Sequence, residues 1–298
     1  MNTSNLKAYL SVLGAVTFWG LSFVWTNKLI HLHIPIFTFI FGRLIIAGLV
    51  LLLICLCLGK IERIKKQDAK WFILMAICEP FIYFIAETFG IKSTNSPTLS
   101  ALIIATIPIF TMLGDRFFYK TNISKWTVIG ILLTLPGVFL MVVNGGKITS
   151  DYWWGILLLF VAVFAACGYN LCIRNLVNGY SPLTICYVQF LLGSLMFLPL
   201  MLTTRGDFEV TSLLTRDALL PILSLALLCS CLAFCLQLIA VSKIGITKAS
   251  VFNATIPIVS AIASFFYGME TFTVIQVVGI MIVVFGVILA QTKPRNAI

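Results

Sequence analysis

The segment Ala105-Thr106-Ile107-Pro108-Ile109 returns as Ala254-Thr255-Ile256-Pro257-Ile258, 149 residues further along the chain. At the same offset and without a gap, Thr98 matches Thr247, Phe117 matches Phe266, Gly130 matches Gly279, Ile131 matches Ile280 and Gly137 matches Gly286. Upstream the match weakens but continues, with Gly20 against Gly168 and Asn27 against Asn175 at an offset of 148, and Pro35 against Pro182 at 147. Such self-similarity reads as an internal duplication, one copy in residues 1–148 and the second in 149–298.

Of the 298 residues, 60% are hydrophobic and only 10% charged. A soluble domain carries roughly 25% charged residues, so this chain lacks the polar surface to clothe a water-soluble fold. A cytosolic enzyme, a secreted disulfide scaffold and a nucleic-acid module are excluded on that ground. A bilayer-crossing helix takes about 20 predominantly apolar residues. Ten such stretches are found at about Ala8–Ile30, Ile34–Leu58, Ala69–Ile91, Pro97–Tyr119, Ser124–Val143, Tyr152–Arg174, Pro182–Thr203, Ala218–Val241, Thr247–Gly268 and Thr273–Gln291. The apolar stretch after Lys7 is too long for the core of a signal peptide, so it is expected to stay as the first helix.

Ten spans in two copies put five in each. Five is odd, so the second copy enters the membrane from the opposite side. The expected fold is therefore all-α and polytopic, ten transmembrane helices in two inverted five-helix repeats around a central cavity. With the termini together, 14 Lys and Arg fall on their side of the loops and 5 on the other, Arg43 being set apart inside a span. The positive-inside rule then predicts cytoplasmic termini. The net charge of +10, including the Lys60–Lys70 cluster, is read as this orientation signal rather than as a lipid-headgroup or nucleic-acid patch. Trp71, Trp126 and Trp153-Trp154 near span ends suit an interfacial aromatic belt.

Inverted repeats recur in secondary transporters, where exchanging the conformations of the halves opens one site alternately to each side. The residues also carry a family resemblance. Trp19-Gly20 in the first span, Arg43 followed by Ala47 in the second, the repeated Ile-Pro-Ile, Gly268-Met269-Glu270, and the pairs Gly130/Gly137 and Gly279/Gly286 together resemble the EamA family of the drug/metabolite transporter superfamily, over nearly the whole chain. The resemblance implies a ten-helix basket around a central cavity that moves metabolites such as amino acids. One departure stands out: the acid closing the family's fourth span is present in the second copy as Glu270, whereas Thr121 holds the first copy's position.

Proline inside a helix cannot donate to the carbonyl four residues back. Pro108 and Pro257 are thus expected to kink their helices near mid-membrane, freeing the carbonyls of Ile104 and Asn253 as hinges and cavity acceptors. The alternative is a kink that serves packing alone. A charged side chain at the centre of a span costs roughly 2.5–3.5 kcal/mol on insertion scales, so those present face a cavity or a partner. Arg43 and Glu79 lie at a similar depth, roughly 13–15 Å in from opposite ends of adjacent spans at 1.5 Å per residue. Glu79, Tyr83 and Glu87 have the spacing of one helix face. This stripe either lines the substrate path, Arg43 attracting an anion and a glutamate binding an amine or proton, or holds a structural Arg43–Glu79 bridge; Glu87 alternatively sits at the interface. Trp19 is positioned to stack on a substrate or fill a helix contact. Tyr169, Asn170, Gln189, Gln237 and Asn253 are the second copy's polar residues within spans, suited to hydrogen bonds with substrate or between helices. Asp115 and Arg116 read as headgroup anchors, and His31 and His33 as solvated loop residues.

The nine cysteines all lie in apolar stretches, without a C-x-x-C pair. They read as small buried residues, and no metal site or cofactor is expected. No catalytic or ATP-binding motif occurs, so an enzyme is not expected and transport would run on gradients. The expected function is a secondary transporter of small metabolites such as amino acids, with export as the expected direction. It would work by alternating access in the cytoplasmic membrane of a bacterium, with lipid, substrate and protons as partners and no nucleic acid. An obligate exchanger of anionic metabolites is the alternative, and a polytopic membrane enzyme or receptor a more distant one. Oligomeric state is left open.

Overall fold

The computed structural model describes residues 3–119, 125–144, 149–204, 210–245, 249 and 251–291, and among these there is no strand. The helices are α1 (Thr3–His31), α2 (Ile36–Cys57), α3 (Ala69–Thr94), α4 (Pro97–Ile104), α5 (Ile107–Tyr119), α6 (Lys125–Asn144), α7 (Ser150–Leu176), α8 (Pro182–Thr204), α9 (Arg216–Ile244), α10 (Ile256–Phe266) and α11 (Val274–Gln291). Seven runs are long and apolar enough to cross a bilayer: α1, α2, α3, α4 with the start of α5, α7, α8 and α9. The apolar stretches Val128–Val142, Phe252–Phe266 and Val274–Ala290 are shorter. Thr121 lies outside the described residues, as do the side chains of Asp115 and Arg116.

At the duplicated motif the expected kink is a complete break. Helix α4 stops at Ile104, Ala105 and Thr106 form a turn, and Pro108 is the second residue of α5. In the second copy a 3-10 turn over Val251–Thr255 precedes α10, where Pro257 again stands second. Proline suits this position because the first turn of a helix has no use for its missing N–H. The preceding threonine closes the break: Thr106 Oγ1 donates to Ile103 O at 2.6 Å, and Thr255 Oγ1 to Phe252 O at 2.7 Å. Replacing either threonine with valine keeps the shape and removes the bond. Each change is expected to cost about 1 kcal/mol, read as a lower melting temperature in detergent; unchanged melting in both would remove the threonines from the account of the break.

A second break was not anticipated. Helix α3 departs from α geometry at Ile77–Ile82, where Glu79 takes extended angles (φ −146°, ψ 117°) ahead of Pro80. The stretch Leu225–Ala233 in α9 is π-helical and spans the equivalent positions of the second copy. Irregular turns inside long helices carry backbone polar groups that must be satisfied by something other than the regular ladder.

The helices pair α6 with α11, α2 with α8, α3 with α7 and α1 with α9. Exchanging the copies maps the last two pairs onto each other and each of the first two onto itself. Glycine makes the α6–α11 seam: a Cβ on Gly130 would stand 2.5 Å from Gly286 O, and one on Gly137 2.8 Å from Gly279 O. The repeated glycines of one copy thus lie against those of the other, and the two backbones touch. Small residues are what let helices approach this closely in lipid.

Six of the nine cysteines are buried as expected, but Cys78 and Cys167 are only partly so and Cys57 is exposed. Cys229 Sγ donates to Phe18 O at 3.1 Å and Cys231 Sγ to Ala47 O at 3.4 Å, tying α9 to α1 and α2. At one end of the bundle Lys28 pairs with Asp217 at 2.8 Å, an exposed bridge that orients more than it stabilises. At the other end Tyr180 donates to Asp68 at 2.8 Å, and the Ser181 N–H to Glu62 at 2.8 Å. Burial raises the Glu62 carboxyl, but bonds from Thr184 and Ser181 outweigh it and hold the group below its ordinary range. That tether therefore operates above the ordinary carboxylate pKa and is lost as pH falls through the lowered value.

Candidate functional site

A central cavity, open at one end, is lined by residues of both halves of the chain. Its walls come from α1 (Trp19, Ser22), α2 (Arg43), α3 (Glu79, Tyr83, Phe84, Glu87), the α4–α5 break (Ile104, Ile107, Pro108, Thr111), α7 (Tyr169, Asn170, Arg174), α9 (Phe234, Gln237, Val241) and the α10 entry (Asn253, Ile256). Arg174, exposed at the end of α7, marks the mouth. The opposite end, where α3 meets α4 and α10 turns toward α11, is closed, with Asn27 only 2% exposed.

The first copy supplies the buried charge. Arg43, Glu79 and Glu87 are 6%, 8% and 6% exposed. Arg43 Nε donates to Ser230 Oγ at 2.7 Å, and its guanidinium lies 4.2 Å from the centre of the Phe84 ring. A cation over an aromatic face is worth roughly 2 kcal/mol or more once desolvated, comparable to the insertion cost of the charge. The structural Arg43–Glu79 bridge is not formed: among the described residues no carboxylate oxygen lies within 4.0 Å of the guanidinium. The pairing rested on similar depth alone, and the break in α3 at Glu79 changes the direction its side chain takes from the helix. For the same reason the single-face spacing holds only from Tyr83 onward. Tyr83 donates to Glu87 Oε1 at 2.8 Å, one regular turn later. Glu87 is thereby a buried wall residue and not an interfacial one. Glu79 borders the cavity and accepts no hydrogen bond among the described residues.

Apart from Arg174 at the mouth, the second copy supplies neutral groups. Asn170 Nδ2 donates to Thr111 Oγ1 at 3.3 Å, bridging α7 to α5 beside Pro108. The amide oxygens of Gln237 and Asn253 have no hydrogen-bond partner among the described residues. Tyr169 meets the Phe234 ring edge-on, as Trp19 does from the other side, and together they form an aromatic wall. Trp19 Nε1 donates to Cys229 O at 3.3 Å, inside the π-helical stretch, which gives one irregular carbonyl its partner.

Of the residues predicted from sequence, Trp19, Arg43, Glu79, Tyr83, Glu87, Tyr169, Asn170, Asn253 and Pro108 share this cavity. Gln189 does not: it is 0% exposed and lies behind Tyr169, whose hydroxyl donates to it at 3.4 Å. Pro257 stands behind the wall formed by its neighbour Ile256. His31 and His33 are exposed at the closed end. Sequence reasoning missed Ser230, Phe84 and Phe234. It also passed over Pro80, although a proline next to an intramembrane acid is a visible sign of an interrupted helix.

The EamA-like transporter family matches residues 6–143 and again 153–292. The uncharacterized transporter YetK of Bacillus subtilis (strain 168) is 28% identical, over 98% of this chain and 88% of its own. The uncharacterized inner membrane transporter YicL of Salmonella typhimurium is 26% identical over 98% of both chains, and an uncharacterized transporter of Archaeoglobus fulgidus 26% identical over 97% and 100%. One solved protein structure superposes with a TM-score of 0.72 over 95% of this chain and 96% of its own; at 16% identity the likeness concerns the fold alone.

Proposed function

Since the chain belongs to the EamA-like transporter family and is a multi-pass membrane protein, we propose that it is a secondary transporter of small metabolites such as amino acids. In this reading ten spans, two inverted copies of five, exchange conformations around the cavity so that it opens to one side and then the other. The exchange symmetry of the helix pairs and the two family matches support the division at about residue 148. The lysine and arginine bias puts the termini, and with them the Arg174 mouth, on the cytoplasmic side. A mouth open to the cytoplasm is the loading state of an exporter.

The observation that carries the substrate class is the pair of unspent charges. Arg43 keeps its terminal nitrogens clear of carboxylates, and Glu79 keeps its carboxyl clear of donors. A zwitterion places its carboxylate on the first and its ammonium on the second, with its side chain against Trp19, Tyr169 and Phe234. The free amide oxygens of Gln237 and Asn253 accept further N–H groups. With Glu79 taking the ammonium, Glu87 is the second carboxyl, available to exchange a proton during the cycle. A strict anion exchanger fits less well, because an anion drawn to the buried Arg43 would share that part of the cavity with two acids.

Reconstitution into liposomes tests this with a panel of labelled amino acids, nucleosides and cationic drugs, with and without a pH gradient. Saturable flux of at least one zwitterionic solute is expected. Flux of none of the panel above protein-free liposomes would contradict the reading, and flux confined to anions in strict counter-exchange would replace it with the exchanger.

A further inference from the structure

The closed end carries a bond between the copies. Glu270 lies in the connector from α10 to α11, in the second copy. One carboxylate oxygen accepts from Ser96 Oγ, and the other from Thr98 Oγ1 and from the Thr98 N–H at 3.2 Å. These donors form the first turn of α4 in the first copy, where Ser96 Oγ also accepts from Leu99 N at 3.1 Å. The start of a helix has spare N–H groups and the positive end of the helix dipole, so a carboxylate there is doubly favoured. Next to it Asn27 is buried, its Nδ2 reaching Met269 Sδ at 3.8 Å.

The mouth shows the complementary arrangement. Asn175, the repeat counterpart of Asn27, is exposed and turns back to donate to Leu171 O of its own helix at 3.1 Å. One member of an equivalent pair is thus packed away at a sealed end while the other faces out at an open one. The acid is unequally distributed as well, since the first-copy position equivalent to Glu270 holds Thr121.

We propose that Glu270 is the latch of the closed end: its carboxylate fastens the second copy onto the start of α4 while the cavity is open at Arg174, and having this acid in one copy only biases the resting protein toward that state. Opening the closed end requires the three donors to release the carboxylate together. The inference rests on the alternating-access reading above. All the donors to Glu270 are the protein's own, so the latch is a gate bond and not a second substrate site.

Hydrogen exchange of the full-length protein in detergent, followed by mass spectrometry, tests the latch without any substrate. Glu270→Gln removes the charge, and Thr98→Val removes one donor while leaving Glu270 and the Ser96 cap in place. Both variants should exchange about tenfold faster than wild type in peptides covering residues 96–101 and 266–273, the behaviour of a locally weakened opening unit. Peptides around 170–176 should become more protected as the mouth closes. Faster exchange at the closed end with no change at the mouth would uphold the latch and overturn alternating access. Wild-type exchange at the closed end in both variants would overturn the latch, and so would uniform acceleration along the whole chain, which marks a general structural bond.

Discussion

Glu79→Gln lowers solute flux at least about tenfold in reconstituted liposomes, and Arg43→Gln does so at least as strongly, with normal insertion of both variants. Hydrogen bonds to charged groups contribute about 1.5–3 kcal/mol, a factor of roughly 10 to 100 when one is lost to a bound substrate. Glutamine keeps the size and polarity of Glu79 and takes away only the charge that holds an ammonium. At Arg43 the loss is larger, because the same residue also anchors Ser230 and covers the face of Phe84. Removing a charge from a span lowers the cost of insertion, so the defect should appear in flux and not in membrane yield. Wild-type flux in both variants would take the substrate path out of this cavity.

The second large effect concerns the seam. Gly130→Leu or Gly286→Leu is expected to abolish most of the folded protein, seen as loss of the monodisperse peak on size exclusion and of a cooperative melt. A Cβ at Gly130 would stand 2.4 Å from Ala290 N and one at Gly286 2.8 Å from Gly130 O, contacts with backbone that cannot rotate away. Overpacking a core costs about 1–3 kcal/mol when side chains can adjust; here the helices themselves have to separate. Gly42, where a Cβ would meet nothing within 4 Å, is the control, and Gly42→Ala should fold as wild type. A folded Gly286→Leu protein with unchanged melting would show that the seam does not hold α6 and α11 together.

What could be read from the residues followed from strong physical penalties. A proline or an ionisable group in an apolar stretch is expensive, so Pro108, Pro257, Arg43, Glu79 and Glu87 stood out and most of them reached one cavity. The repeat was legible for the same reason, because glycines and prolines leave a recognisable register. That the glycines of one copy face those of the other was not legible, since a register says which positions correspond and not which ones touch. Gln189 was misplaced because a helix apolar on every side gives no phase from which to tell wall from interior. Ser230, Phe84 and Phe234 carry no penalty of their own and become part of the site only through what Arg43, Trp19 and Tyr169 do with them. The single-face reading of Glu79, Tyr83 and Glu87 assumed an unbroken helix, and Pro80 invalidates that assumption.

Transport through this cavity requires the two ends of one bundle to open in alternation. The direct measurement uses Asn27→Cys and Asn175→Cys together in a background without the nine native cysteines, with labelling by a membrane-impermeant maleimide in vesicles of known orientation. Alternation predicts that Asn175→Cys reacts from the cytoplasmic face and Asn27→Cys, more slowly, from the outer face, and that a bulky label already on Asn175→Cys suppresses reaction at Asn27→Cys by holding the mouth open. Reaction of both from the same face, or labelling at Asn27→Cys that ignores the label at Asn175→Cys, would contradict it.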